Sequence, residues 1–239
     1  MTDSTRTSVS TENREIEELQ QQLLTASEKK QLQAIDRLSG LGEPGLTVLK
    51  EFLQGGRDRE PNLVLGKTYQ CLYQNPLTQD FLLAHFPHGI VPFNSELNID
   101  YKPLQQALLT QDFQTADRIT LQKLCELAGE AAIERKWLYF SEVDKFPIAD
   151  LQTIDRLWLL HSEGKFGFSV QREIWLSNRK DFSKVWSKIG WKAEKNWTRY
   201  PNEFTWDLSA PKGHLPLSNQ LRGVRAFASL LSHPAWSTP

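Results

Sequence analysis

The sequence predicts an all-α protein: an N-terminal helical bundle followed by a second, separately organised helical part. Three observations carry this. Apolar residues recur at spacings of three and four along most of the chain. Proline stands at the start of several of these stretches and glycine just past their ends, the asymmetry expected of helix termini. The joints between them are short, which favours antiparallel neighbours.

The first stripe is Ile16, Leu19, Leu23 and Leu24. Ser27 is placed to cap a second helix, with Leu32, Ile35 and Leu38 inward and Gly40 as its stop. Pro44 opens a third around Leu46, Leu49, Phe52 and Leu53, ending at Gly55-Gly56. Pro61 opens a fourth with Leu65, Tyr69 and Leu72, and Pro76 a fifth with Leu77, Phe81 and Leu82. Five such helices make an antiparallel bundle or a small helical-repeat stack. Met1 to Asn13, rich in Ser and Thr, reads as a frayed tail. It has no apolar core and so does not read as a secretory signal.

Residues 87–98, beginning Pro87-His88-Gly89-Ile90-Val91-Pro92-Phe93, are apolar rather than Gly/Ser-rich, so this linker should dock on the protein. The domain boundary is set there, with residues 1–88 as the N-terminal helical bundle and 89–239 as the second domain. Leu104, Leu108 and Leu109 mark the next helix, and Phe113, Ala116, Thr120, Leu124 and Leu127 another that stops at Gly129. Leu151, Ile154, Leu157, Trp158 and His161 form a further stripe ending near Gly164. Phe168–Leu176 and Asp181–Ile189 suit two short helices. Residues 191–215 lack periodicity but carry several aromatics, as a structured loop would. Leu217, Leu221, Val224, Ala228 and Leu231 share the face of a last helix.

Composition excludes several classes. A net charge of −1 over 239 residues leaves no reason to expect a nucleic-acid partner. No apolar run approaches the ~18 residues of a membrane span. Cys71 and Cys125 lack metal-ligand spacing and read as reduced thiols, consistent with a cytoplasmic bacterial protein. There is no phosphate-binding glycine loop, nucleophile elbow or zinc-protease motif, and carboxylate pairs such as Glu142 with Asp144 suit a solvated turn. The chain is therefore read as a non-enzyme with no metal site and no prosthetic group. Among five scattered histidines, only His214 lies beside the aromatic loop.

Two features suggest a ligand. All eight tryptophans fall between Trp137 and Trp236, fitting either a bulky core or a wide cleft for a flat aromatic molecule. In Asn219-Gln220-Leu221-Arg222-Gly223-Val224-Arg225 two arginines stand three apart. Their planar forks suit a ligand bearing two carboxylates, although solvated arginines on an exposed helix face explain the pattern equally.

Several strings resemble the tetrapyrrole-binding family named for the fourth locus of the plant "genomes uncoupled" phenotype. They include Asp100-Tyr101, Asp112-Phe113 through Ala116-Asp117, Trp137, Phe146-Pro147, and Leu157-Trp158. The most specific are Gly164-Lys165-Phe166-Gly167-Phe168-Ser169-Val170-Gln171 and Ala210-Pro211-Lys212-Gly213-His214-Leu215-Pro216. The matches run in order over about residues 99–235, and the helical first half resembles the extension of cyanobacterial members.

The resemblance implies a helical core shaped like a cupped hand whose palm binds protoporphyrin IX and Mg-protoporphyrin IX. It implies a partner, the porphyrin-binding H subunit of magnesium chelatase, whose activity the protein raises in chlorophyll synthesis. It implies Arg222, Arg225 and Asn219 at the ligand's edge and a palm lined by Phe140, Trp197, Tyr200, Leu217 and Leu221. A monomer, with peripheral association at thylakoid membranes, completes the expectation. The alternative is a helical protein–protein interaction scaffold whose aromatics serve only as core.

Overall fold

The structure, a computed structural model, describes residues 3–194, 196–217 and 224–237. The chain forms two compact units, residues 1–90 and 91–239.

The first unit has five helices: α1 (Asp3–Thr25), α2 (Glu28–Gly40), α3 (Gly42–Gly55), α4 (Leu63–Gln74) and α5 (Gln79–His85), the last entered through a 3-10 turn at Pro76–Thr78. Helix α2 packs on α1, α3 and α4, and α4 on α3 and α5, so each helix is covered by near neighbours in sequence. The core is Ile16, Leu19, Leu23, Ile35, Leu38, Leu46, Leu49, Leu53, Leu65, Tyr69, Leu72 and Leu82, all buried. Each fully buried leucine contributes roughly 1.5–3 kcal/mol of transfer free energy. Gly45 lets α3 approach α2 closely: a Cβ there would lie 2.1 Å from the Leu38 carbonyl oxygen.

Three expectations shift here. Leu24 and Leu77 are exposed, not inward. Leu24 follows Leu23 by one residue, a rotation of about 100°, so both cannot face the core. The cap of α4 is Asn62, whose side chain accepts the Leu65 N–H at 3.0 Å, rather than the preceding Pro61 acting alone. The Ser/Thr-rich start is helical from Asp3, because extending an existing helix adds one hydrogen bond for each residue fixed.

The second unit contains α6 (Lys102–Leu109), α7 (Phe113–Ala128), α8 (Glu130–Arg135), α9 (Phe140–Val143), α10 (Ile148–His161), α11 (Phe168–Ser177), α12 (Phe182–Lys188) and α13 (Val224–Ser232). A minimal antiparallel hairpin, β1 (Lys192–Ala193) with β2 (Asn196–Trp197), interrupts them. Its entry segment is docked on α10. The Glu96 N–H donates to Asp150 Oδ2 at 2.9 Å, Thr153 Oγ1 donates to the Asn94 carbonyl at 2.8 Å, and the Tyr101 hydroxyl donates to Asp150 Oδ1 at 2.7 Å.

Two aromatic cores organise this unit. In the first, Trp158 stacks on Phe113 at 6.0 Å and its indole N–H donates to Thr120 Oγ1 at 2.9 Å. In the second, Trp175, Phe182, Trp186, Trp191 and Phe227 form a continuous stack with centroid spacings of 5.0–5.5 Å. Four of the eight tryptophans, Trp158, Trp175, Trp186 and Trp191, are thus core residues.

The strap from Gly213 to Leu217 is pinned throughout. The Gly213 N–H donates to the Lys165 carbonyl at 2.9 Å, and Gln171 Nε2 donates to the carbonyls of Gly213 (3.0 Å) and Pro216 (2.8 Å). The Gly167 N–H donates to the Leu215 carbonyl at 3.0 Å. The stretch expected as an aromatic loop is therefore a hairpin followed by a fixed strap. In α13 the buried face is Phe227, Leu230 and Leu231; Val224, expected inward, is exposed. Leu221, another residue of that expected face, lies outside the described residues.

Candidate functional site

The site is built from the junction of α8, α9 and α13. Helix α8 ends at Arg135, and Lys136 takes a left-handed conformation with φ of 60°. The reversed chain folds Arg135 between rings, with its guanidinium 5.0 Å from the centroid of Trp137 and 4.5 Å from that of Tyr139. Its Nη2 donates to both carboxylate oxygens of Glu142, at 2.7 and 2.8 Å, and Glu142 accepts the Tyr139 N–H at 2.8 Å. This clasp fixes the start of α9, where Phe140 sits.

Helix α9 packs on α13. Ser229 Oγ donates to the Phe140 carbonyl at 3.2 Å and also meets the Asp144 carboxylate. The Arg225 guanidinium lies 5.9 Å from the Phe140 ring centroid. Between the two helices lies a shallow, open cleft of about 410 Å³ lined by Phe140, Arg225, Ala228, Ser229 and Ser232. Phe140 is 44% exposed, and no carboxylate among the described residues pairs with Arg225. An open aromatic face beside an uncompensated guanidinium suits an aromatic acid.

The other expected residues fall on neighbouring elements. Trp197, at the end of β2, is 45% exposed; one side of it meets Trp186 at 5.8 Å, and Lys192 Nζ lies 5.4 Å from its ring. Tyr200 is 46% exposed, edge-on to Trp206 at 5.9 Å. Its phenol is raised above the ordinary tyrosine range by burial and by the charge of Asp117, against the opposing effect of Arg118. Leu217 is buried, and its N–H donates to Asp117 Oδ1 at 2.6 Å. Asn219, Leu221 and Arg222 lie outside the described residues. The structure thus joins Phe140 with Arg225 directly, and Leu217 with Asp117, while Tyr200 meets Phe204 and Trp206. Helix α13, which carries Arg225, also reaches towards Trp197, since Phe227 packs on Trp186, which in turn meets Trp197.

His214 has a structural role. It is buried, its Nδ1 lies 2.6 Å from the Ile189 carbonyl, its Nε2 accepts the Thr205 N–H at 3.3 Å, and its carbonyl accepts the Trp191 indole N–H at 2.7 Å. Neutral imidazole with Nδ1 protonated satisfies all of these, and burial lowers its pKa. Asp117 and the Arg135–Glu142 clasp were not singled out from sequence. Their only signal is the Ala116-Asp117 string and the seven-residue Arg/Glu separation, which matches no helical pairing.

Residues 94–234 match the family model described as GUN4-like, and residues 7–87 match the one described as an ARM-like repeat domain, GUN4-N terminal. The chain belongs to the GUN4 family. It is 57% identical over 224 residues to a Ycf53-like protein of Synechocystis sp., covering 92% of this chain and 96% of that one. It is 44% identical over 144 residues to the chloroplastic tetrapyrrole-binding protein of Arabidopsis thaliana, covering 56% of this chain and 54% of that one. Among solved structures it is similar to GUN4 from Chlamydomonas reinhardtii, with TM-score 0.58, 40% identity, 62% of this chain and 95% of that one. Ligand-free Arabidopsis thaliana GUN4 gives TM-score 0.54 at 44% identity, with 61% of this chain and 99% of that one. GUN4 membership accounts for both units, the first now read as a repeat stack. No described helix is long and apolar enough to cross a membrane, and no group of three candidate metal ligands clusters among the described residues.

Proposed function

We propose that this GUN4-family protein is a non-catalytic binder of protoporphyrin IX and Mg-protoporphyrin IX that raises magnesium chelatase activity, with the enzyme's porphyrin-binding H subunit as its partner. The supporting observation is the cleft between α9 and α13, where exposed Phe140 faces Arg225 with no carboxylate partner among the described residues. We assign the ligand to residues 89–239. The disc is buried against Phe140, Trp197, Tyr200, Leu217 and Leu221, and its two propionates meet Arg222 and Arg225, with Asn219 at the edge. Disc burial supplies most of the affinity, at roughly 25 cal/mol per Å² before the costs of association. The arginines fix its orientation, because propionates drawn against an apolar surface without partners raise the cost of burial. The repeat unit is assigned to stability or to partner contact. We take the protein to be a monomer in the bacterial cytoplasm with peripheral association at thylakoid membranes.

Titrating the purified protein with protoporphyrin IX while following the porphyrin's main absorption band tests the binding step. Adding the protein to magnesium chelatase tests the stimulation. A saturable spectral shift with faster Mg insertion supports the reading. Mg insertion by the protein alone, with ATP and Mg²⁺, contradicts its non-catalytic part. Absence of any shift leaves the helical interaction scaffold as the reading.

A further inference from the structure

Helix α9, which carries Phe140, has only four residues. A single helical turn fixes several residues for about one hydrogen bond, so its position must come from contacts outside it. From α13, Ser229 Oγ donates to the Phe140 carbonyl at 3.2 Å. From α8, Arg135 Nη2 donates to Glu142 Oε2 at 2.8 Å, and the same oxygen accepts the Tyr139 N–H at 2.8 Å. One carboxylate oxygen thus ties the end of α8 to the residue that precedes Phe140. Leu138 and Val143, buried on either side of Phe140, keep the segment attached even without that tie.

The two arginines of this junction do different work. Arg225 lies 5.9 Å from the Phe140 ring centroid and has no carboxylate partner among the described residues, so its fork is open to a ligand's charge. The Arg135 guanidinium is already committed. Its Nη2 donates to both oxygens of Glu142 and reaches the Trp137 carbonyl at 3.4 Å. It also lies against the rings of Trp137 and Tyr139, which meet each other at 4.4 Å between centroids.

We propose that Arg135 and Glu142 are a positioning pair of the tetrapyrrole cleft: they hold the turn between α8 and α9 so that the Phe140 ring stands open beside Arg225 for the face of the ligand's disc. This rests on the tetrapyrrole reading above. A ring presented from a fixed backbone needs no ordering when the ligand arrives, whereas a loosened one must be ordered at the expense of affinity. The pair acts through Phe140 and touches no propionate. Removing either member leaves the other's charge uncompensated in a half-buried place, so each single truncation should be felt.

The test measures protoporphyrin IX affinity and the urea midpoint of the full chain for wild type, Arg135→Ala, Arg135→Lys, Glu142→Ala, Glu142→Gln and Phe140→Ala. Both Arg135 substitutions are also made in the Phe140→Ala background. Arg135→Ala and Glu142→Ala should each weaken binding about ten-fold, within the range of couplings between residues that share a network. The loss should be equal for porphyrin with both propionates esterified, because the pair serves the disc. Glu142→Gln keeps an oxygen that can accept both N–H groups and should stay within about three-fold of wild type. In the Phe140→Ala background Arg135→Ala should cost less than about two-fold in affinity, since no ring is left to position, while its lowering of the urea midpoint persists. An affinity loss of the same size with and without Phe140 overturns the proposal. So does unchanged affinity in Arg135→Ala, or a loss confined to the acid porphyrin. If Arg135→Ala does not fold, Arg135→Lys, which keeps the charge but cannot lie flat between the rings, takes its place in the same comparison. Wild type that binds no protoporphyrin defeats the tetrapyrrole reading and this proposal with it. Wild type that binds no better than the Arg135 and Glu142 variants defeats the positioning role alone.

Discussion

At the scale of single residues, Arg225 is the most exposed test of the ligand assignment. Its guanidinium packs near Phe140 and pairs with no described carboxylate, so removing it should disturb little of the fold. Each charge-assisted contact to a propionate contributes about 1.5–3 kcal/mol, less where water reaches it. Arg225→Ala should therefore weaken protoporphyrin binding by about ten-fold, equivalent to ~1.4 kcal/mol. Arg222→Ala should act in the same direction, and Arg222→Glu should do worse because it adds repulsion. Porphyrin with both propionates esterified is the control. Loss for the acid alone identifies a propionate contact, equal loss for acid and ester identifies packing, and no loss for either returns the arginines to a solvated face.

His161 offers a residue-scale prediction independent of any ligand. It ends α10 fully buried, neither ring nitrogen has a hydrogen-bond partner among the described residues, and burial lowers its pKa from 6.5 to about 4. The folded protein keeps it neutral while the unfolded chain takes up a proton below 6.5. Stability from this site is thus complete above pH 6.5 and lost as pH falls towards 4, by about 3 kcal/mol in all. His161→Phe should remove that loss. Urea midpoints from pH 7 to 4 should fall more steeply for wild type than for the variant. The buried acids Asp117 and Asp155, whose pKa values are raised to about 8 and 6, pull the other way in both proteins and cancel in the comparison. Parallel midpoint curves would contradict the assignment.

At the scale of elements, the strap is the structure on which the site depends. Gly213 has φ of +78°, and a Cβ there would lie 2.7 Å from Ile174 Cδ1 and 3.2 Å from Ile189 Cγ2. Gly213→Ala should cost about 1–3 kcal/mol through backbone strain and overpacking. It should lower the thermal midpoint by several degrees, with little change in helical circular dichroism. An unchanged midpoint would mean the strap is not held as described.

The same scale shows what could be read from sequence. Long helices were legible because α7, with Phe113, Ala116, Thr120, Leu124 and Leu127 buried, repeats its stripe over several turns. Helices α8 and α9, of six and four residues, complete too few turns to show a period. The β1–β2 pair is two residues long on each side and hidden among aromatics. Within the site, Phe140 facing Arg225 joins positions 85 apart, which no spacing rule anticipates. Phe140 comes from family resemblance and Arg225 from the Arg222–Arg225 spacing as well, whereas Asp117 needs the structure, because a buried acid and a surface acid look alike in a sequence.

At the scale of the whole molecule, the two compact units divide the work as we propose it. The described core residues of each unit have partners within it, so residues 89–239 alone should fold, as judged by circular dichroism, and bind protoporphyrin within a few-fold of the full chain. A folded but non-binding 89–239 chain would move the ligand site or make it depend on the repeat unit.

The central claim is that a flat tetrapyrrole sits in the aromatic second unit, and tryptophan emission reads it most directly. All eight tryptophans lie in that unit, and Trp197 is half exposed at the edge of the Trp186–Trp191 stack. Titration with protoporphyrin IX should quench emission saturably, with a midpoint matching the absorption titration and shifted about ten-fold in Arg225→Ala. Emission that stays unchanged at excess protoporphyrin, after correction for the porphyrin's own absorption, would contradict it.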